Sequence, residues 1–109
     1  MSEEINIFKV LDYIRDNSRK YAKAKAERIY LEEFRKSKKA ILMQSSGAKT
    51  SAAQEVDAYA NPEYLELLIA LKEAVIEEES LRWLLIAAQA KVECWRSLSA
   101  NARVEAKVL

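Results

Sequence analysis

The sequence predicts an all-α protein, a long helical hairpin that assembles as a helical oligomer. Three observations predict it. Among 109 residues there are one Gly and one Pro, so almost nothing interrupts a helix. Half the residues are apolar and 32% are charged, with Ala, Leu, Glu, Lys and Arg dominating; that mixture suits amphipathic helices rather than a disordered chain. From Tyr64 onward, apolar residues recur at alternating three- and four-residue intervals, the spacing that keeps one stripe of a helix facing a partner. A chain of this length has room for one modest core, which predicts one domain over residues 1–109.

The first element, residues 1–43, reads as one basic helix or two. Ser2 followed by Glu3 and Glu4 offers a capping hydroxyl and carboxylates placed where the helix dipole favours them. The weakest helical point is Asn17–Ser18. The strongest punctuation is QSSGAKTS, Gln44 to Ser51, which holds the sole glycine. A phosphate-binding loop would need a second glycine five residues upstream, a Gly-Lys pair and a preceding buried strand. Here an alanine separates Gly47 from Lys49, and RKSKKAILM continues a helix. Gly47 is therefore expected to cap the first helix in the left-handed region. Residues 44–61 form a bend with a short helix, opened by a Ser51–Gln54 capping box and running to about Tyr59.

The last element, residues 62–106, starts with Asn61 as cap, Pro62 in the first helical position and Glu63 in the first turn. Its seam comprises Leu67, Leu71, Ala74, Glu78, Leu81, Leu85, Ala88, Val92, Trp95, Ser99 and Ala102, with Glu78 the one charged intruder. Leu65, Leu68, Val75, Trp83 and Ile86 lie beside it, so the apolar surface is wider than a two-stranded zipper requires. A helix of ~40 residues is ~60 Å long. One antiparallel partner covers one side, and the remaining flank calls for a second chain. Leu67, Leu71, Leu81, Leu85, Val92 and Trp95 are assigned to homo-oligomerisation.

The residues that carry most catalysis are scarce. There is no histidine and a single cysteine, Cys94, which reads as a small buried hydrophobe. Consecutive glutamates 77–79 point in different directions round a helix and form no carboxylate pair. No enzyme activity, cofactor or metal is expected. No apolar run reaches the ~18 residues that cross a bilayer, MSEEINIFKV is too acidic for a signal peptide, and a lone cysteine fits a reducing compartment. A cytoplasmic chain outside the membrane is expected.

Charge is distributed unevenly. Residues 1–49 carry 12 Lys and Arg against 7 Asp and Glu, and residues 50–109 carry 6 against 10. Within Arg19 to Lys39, the residues Tyr21, Lys25, Arg28, Arg35, Lys36 and Lys39 fall in an arc roughly 100° wide. Ala24, Tyr30, Leu31, Phe34, Ile41 and Leu42 take much of the other side, with Lys20, Lys23 and Lys38 snorkelling round it. Such a stripe neutralises phosphates, and a tyrosine among them stacks on an unpaired base. Two alternatives stand beside this reading. In an antiparallel hairpin Lys25 and Arg28 pass close to Glu77–Glu79, so the stripe would complement the acidic helix; or it would meet an acidic protein. Arg96 and Arg103, seven apart with Ser99 between them, offer an anion or partner site, or a solvated helix end.

Three stretches, KAERIYLEEFRKSKKAILM, AAQEVDAYANPEYLELLIALKEAV and WRSLSANAR, together resemble small helical proteins from the recombination and replication regions of tailed phages, and are similar to UvsY-type recombination mediators. The resemblance covers most of residues 20–104. It implies an oligomeric protein in the cytoplasm of an infected bacterial host that binds single-stranded DNA and helps load a RecA-like recombinase where single-strand-binding protein sits. Carried onto this chain, the DNA-contacting candidates are Lys20, Tyr21, Lys23, Lys25, Arg28, Arg35, Lys36, Lys38 and Lys39.

Overall fold

A computed structural model of the chain describes residues 4–108. Among these there are three helices and no strand: α1 (Ile7–Ser45), α2 (Ser51–Ala60) and α3 (Pro62–Val108). The all-helical class is the one the sequence predicts. The helix start expected at Ser2 and Glu3 lies outside the described residues. Glu4 precedes the helix, and Asn6 caps it instead: its Oδ1 accepts from the Lys9 N–H at 3.2 Å and its carbonyl from Val10 at 3.2 Å. Asn17–Ser18 does not break α1. Asn17 donates its amide to the Tyr13 carbonyl at 2.8 Å and Ser18 its hydroxyl to that of Ile14, so both polar groups are satisfied along the helix.

The bend is held by side chains, not by an unusual backbone. No described residue has positive φ, so Gly47 is not the left-handed cap the sequence suggested. A Cβ added there would meet nothing within 4 Å. Ser46 does the work: its N–H donates to the Met43 carbonyl at 3.2 Å, its hydroxyl to Asp57, and its Oγ accepts from the Ala48 N–H. Thr50, one residue before the expected Ser51, caps α2 by accepting from Ala53 at 3.1 Å. The Gln54 amide donates back to the Ala48 carbonyl at 3.1 Å. Asn61 ends α2 and opens α3, its Oδ1 accepting from the Glu63 N–H at 2.9 Å.

Packing divides the chain into two compact units. One joins the residues up to Ala22 with those from Glu79 onward; the other is Lys23–Glu78. In the second, Leu42, Ala58 and Tyr64 bury one another, with Met43 against them, so each of the three helices contributes one side chain. Ala74 and Glu78 are also buried there, and Leu67 and Leu71 half-buried. In the first unit Leu85 and Ala88 are buried, and Leu81 and Val92 half-buried. These are the residues of the α3 seam, and they are covered by the chain's own helices. The sequence assigned Leu67, Leu71, Leu81, Leu85 and Val92 to contacts between copies; within one chain Leu85 is buried and the other four are half-buried. Trp95, 37% exposed, stands at the margin.

α1 carries a matching seam that is hard to see in the sequence. Ile7, Val10, Ile14, Asn17 and Tyr21 are half-buried in the first unit. In the second, Ala24 and Leu42 are buried and Arg28, Leu31 and Lys38 half-buried. The intervals alternate between three and four, as in a coiled coil, but polar residues occupy several of the places.

Candidate nucleic-acid interface

That α1 seam decides the fate of the basic stripe. Arg28 occupies a seam position opposite the one charged residue of the α3 seam. Its Nε donates to Glu78 Oε2 at 2.6 Å, its Nη2 to Glu78 Oε1 at 3.0 Å, and its Nη1 to Glu32 Oε2 at 3.1 Å. Glu78 is only 6% exposed. Hydrogen bonding to Glu78, opposed by burial and helped by Glu32, holds the Arg28 guanidinium even more firmly protonated than usual. A two-pronged pair of this kind fixes register as well as charge, and it takes Arg28 out of any external phosphate-binding surface.

Lys39 and Lys38 are committed in the same way. Lys39 Nζ donates to Glu55 Oε1 at 2.9 Å and lies 4.8 Å from the centre of the Tyr59 ring, clamping α2 to α1. Tyr59 in turn meets Tyr64 edge-on at 5.2 Å. Lys38 reaches Glu63 at 3.4 Å and ties the first turn of α3 to α1. Tyr21 is half-buried in the seam of the first unit. Four of the nine candidates (Tyr21, Arg28, Lys38, Lys39) are thus engaged inside the chain. The side read as packing is partly open instead: Tyr30 is 60% and Ile41 53% exposed, and Tyr30 stacks on Phe34 at 5.9 Å.

The Lys39 clamp has a definite pH dependence. The Tyr59 side chain first, then Glu55, raise the Lys39 ammonium above the ordinary lysine range. The hydrogen bond from Lys39 and then its charge hold the Glu55 carboxyl below its ordinary range. A depressed carboxyl adds stability that is present above its unfolded value, about 4.3, and fades as pH falls through the folded one. A raised ammonium adds stability that is whole below its unfolded value, about 10.4, and fades as pH rises through the folded one. The clamp's contribution is therefore level from about pH 5 to 10. Urea midpoints of the unaltered chain should drop below about pH 4, and less steeply in Glu55→Gln. Identical pH profiles for the two proteins would contradict the clamp.

The remaining candidates are available. Lys20, Lys23, Lys25 and Arg35 are exposed and make no ion pair among the described residues. Lys36 pairs with Glu33 at 3.3 Å, but both side chains are about two-thirds or more exposed, and such a pair exchanges readily for another anion. Within the Lys23–Glu78 unit, Lys25 and Lys36 lie eleven residues apart, on nearly the same side of α1 and ~16 Å along its axis. Arg35 opens into a cleft of about 430 Å³ walled by Lys36, Lys39, Tyr59 and Tyr64. Arg35 keeps the seam spacing yet is exposed. Arg35 and Lys36 are accessible in this cleft beside the partly exposed Tyr59 ring, and Lys25 is accessible further along α1.

The chain matches no protein-family model, no curated protein and no solved structure. What it binds is therefore argued from these side chains. Among the described residues no cluster of acidic, cysteine or histidine side chains is arranged to hold a metal ion, and no helix is long and apolar enough to cross a membrane. Cys94, expected to be buried, is exposed. Of glutamates 77–79, expected to point in different directions, Glu78 is buried with Arg28 and Glu79 pairs with Arg82 at 2.9 Å. Arg96 binds Glu93 at 3.1 Å, which favours a solvated helix end for that segment.

Proposed function

We propose that the chain is an oligomeric accessory protein that holds single-stranded DNA, in the manner of the phage recombination mediators it resembles. In that role it helps a RecA-like recombinase onto strands covered by single-strand-binding protein, in the cytoplasm of an infected bacterium. The observation that carries the DNA half is the Arg35 cleft, where an unpaired guanidinium stands among Lys36, Lys39, Tyr59 and Tyr64. Lys25, Arg35 and Lys36 take phosphates of one strand, and the exposed part of Tyr59 gives a base an aromatic side chain to pack against. No part of this reads base edges, so binding is nearly blind to sequence. One chain supplies few contacts, and several copies together supply the avidity.

Fluorescence anisotropy with a labelled single-stranded oligonucleotide tests it. Three phosphate contacts per chain give log K against log salt a slope of about −2. Arg35→Glu with Lys36→Glu lowers affinity more than about tenfold and flattens that slope, with helicity unchanged. If the unaltered protein fails to bind single strands at low salt, the reading is wrong. A second reading, an adaptor acting through protein contacts alone, is favoured by the exposed Ile69, Ile76 and Trp83. That same absence of binding would select it.

A further inference from the structure

We infer that a second copy of this chain covers the outer face of α3 between Leu65 and Ile76, in an antiparallel two-fold pairing. This deepens the assembly half of the function proposed above and stands apart from its DNA half.

The seam side chains Tyr64, Leu67, Leu71, Ala74 and Glu78 face the chain's own helices. Leu65, Leu68, Ile69, Val75 and Ile76 lie in an adjacent arc about 120° wide and are 36–61% exposed. Among the described residues none of the five is buried, and Ile69 and Ile76 are more than half exposed. A contiguous apolar patch flanked by charged side chains marks a contact surface.

Charge selects the orientation. Lys72 sits in the middle of the apolar arc and Glu73 at its edge; both are exposed, and neither makes an ion pair among the described residues. A parallel pairing in register would set Lys72 against Lys72 of the second copy. An antiparallel pairing that seats Ile69 on Ile76 of the other copy sets Lys72 against Glu73 twice over, once on each side of the two-fold axis. The interface is then self-complementary, as a closed dimer requires.

Sedimentation equilibrium and light scattering without nucleic acid test this, so that dimer loss and loss of DNA binding are separate results. The unaltered chain should have twice the monomer mass. Ile76→Glu should have the monomer mass with unchanged circular dichroism. Lys72→Glu and Glu73→Lys should each raise the dimer Kd about tenfold, from two lost pairs and the like charges that replace them. The double swap should return it to near the original. A monomer mass for the unaltered chain up to millimolar concentration, a mass of three chains or more, or a double swap no tighter than the single ones would overturn the pairing.

Discussion

Glu78→Ala should lower the melting temperature by about 10 °C or more. The carboxylate is 6% exposed and receives two hydrogen bonds from Arg28. Removing it leaves the Arg28 guanidinium in the seam paired with Glu32, which is itself half in solvent. An ion withdrawn from water needs its counter-ion far more than the pair as a whole is needed for stability. The corollary is sharper than the single loss. Arg28→Leu with Glu78→Leu should melt at or above the unaltered temperature, because two leucines fit a seam position without desolvating charge. What the pair then contributes is register: it fixes which turn of α1 meets which turn of α3 in the Lys23–Glu78 unit, and so holds Lys25 and Arg35 clear of the seam. Thermal melts by circular dichroism check both. A Glu78→Ala melt within about 2 °C of the original would show that the pair is incidental.

Leu85→Asp should unfold the chain rather than dissociate it. Read from sequence, Leu85 belongs to a contact between copies, and its replacement should release intact monomers. Leu85 is 8% exposed within one chain, so the carboxylate would be driven into an occupied apolar site. Losing the leucine contacts and burying an unpaired charge costs about 3–5 kcal/mol, a large share of what a domain this size has. The expected result is a substantial loss of helical signal at 25 °C or a melt shifted far down. A helical, folded Leu85→Asp monomer would restore the earlier assignment.

Most of the fold was legible because its signals are local. One Gly, one Pro and the Asn61–Pro62 pair mark the ends of helices, and the 3-4 spacing from Tyr64 to Val92 marks the buried face of α3. The seam of α1 was hidden because Asn17, Arg28 and Lys38 occupy places where apolar residues would have announced it. A reading by charge placed Tyr21, Arg28 and Lys39 on an open arc, and the packing turned that arc inward. The alternative reading, in which an antiparallel hairpin brings Lys25 and Arg28 close to Glu77–Glu79, holds for Arg28, which pairs with Glu78, the one acid in the apolar seam. Which apolar stripe of α3 serves the chain and which faces outward could not be read from periodicity. Both stripes are apolar, and only the position of α1 and α2 distinguishes them. Gly47 misled for a different reason: the end of α1 is closed by the Ser46 N–H on the Met43 carbonyl, and the Ser46 hydroxyl pairs with Asp57 across the loop.

The two faces of α3 are separable: one packs against the chain's own helices, and the other is the surface proposed for a second copy. Sedimentation and circular dichroism on Ile76→Glu beside Leu85→Asp measure this directly. The account predicts that Ile76→Glu halves the mass and keeps its helices, while Leu85→Asp loses them. A helical monomer from Leu85→Asp together with an unchanged mass for Ile76→Glu would contradict it.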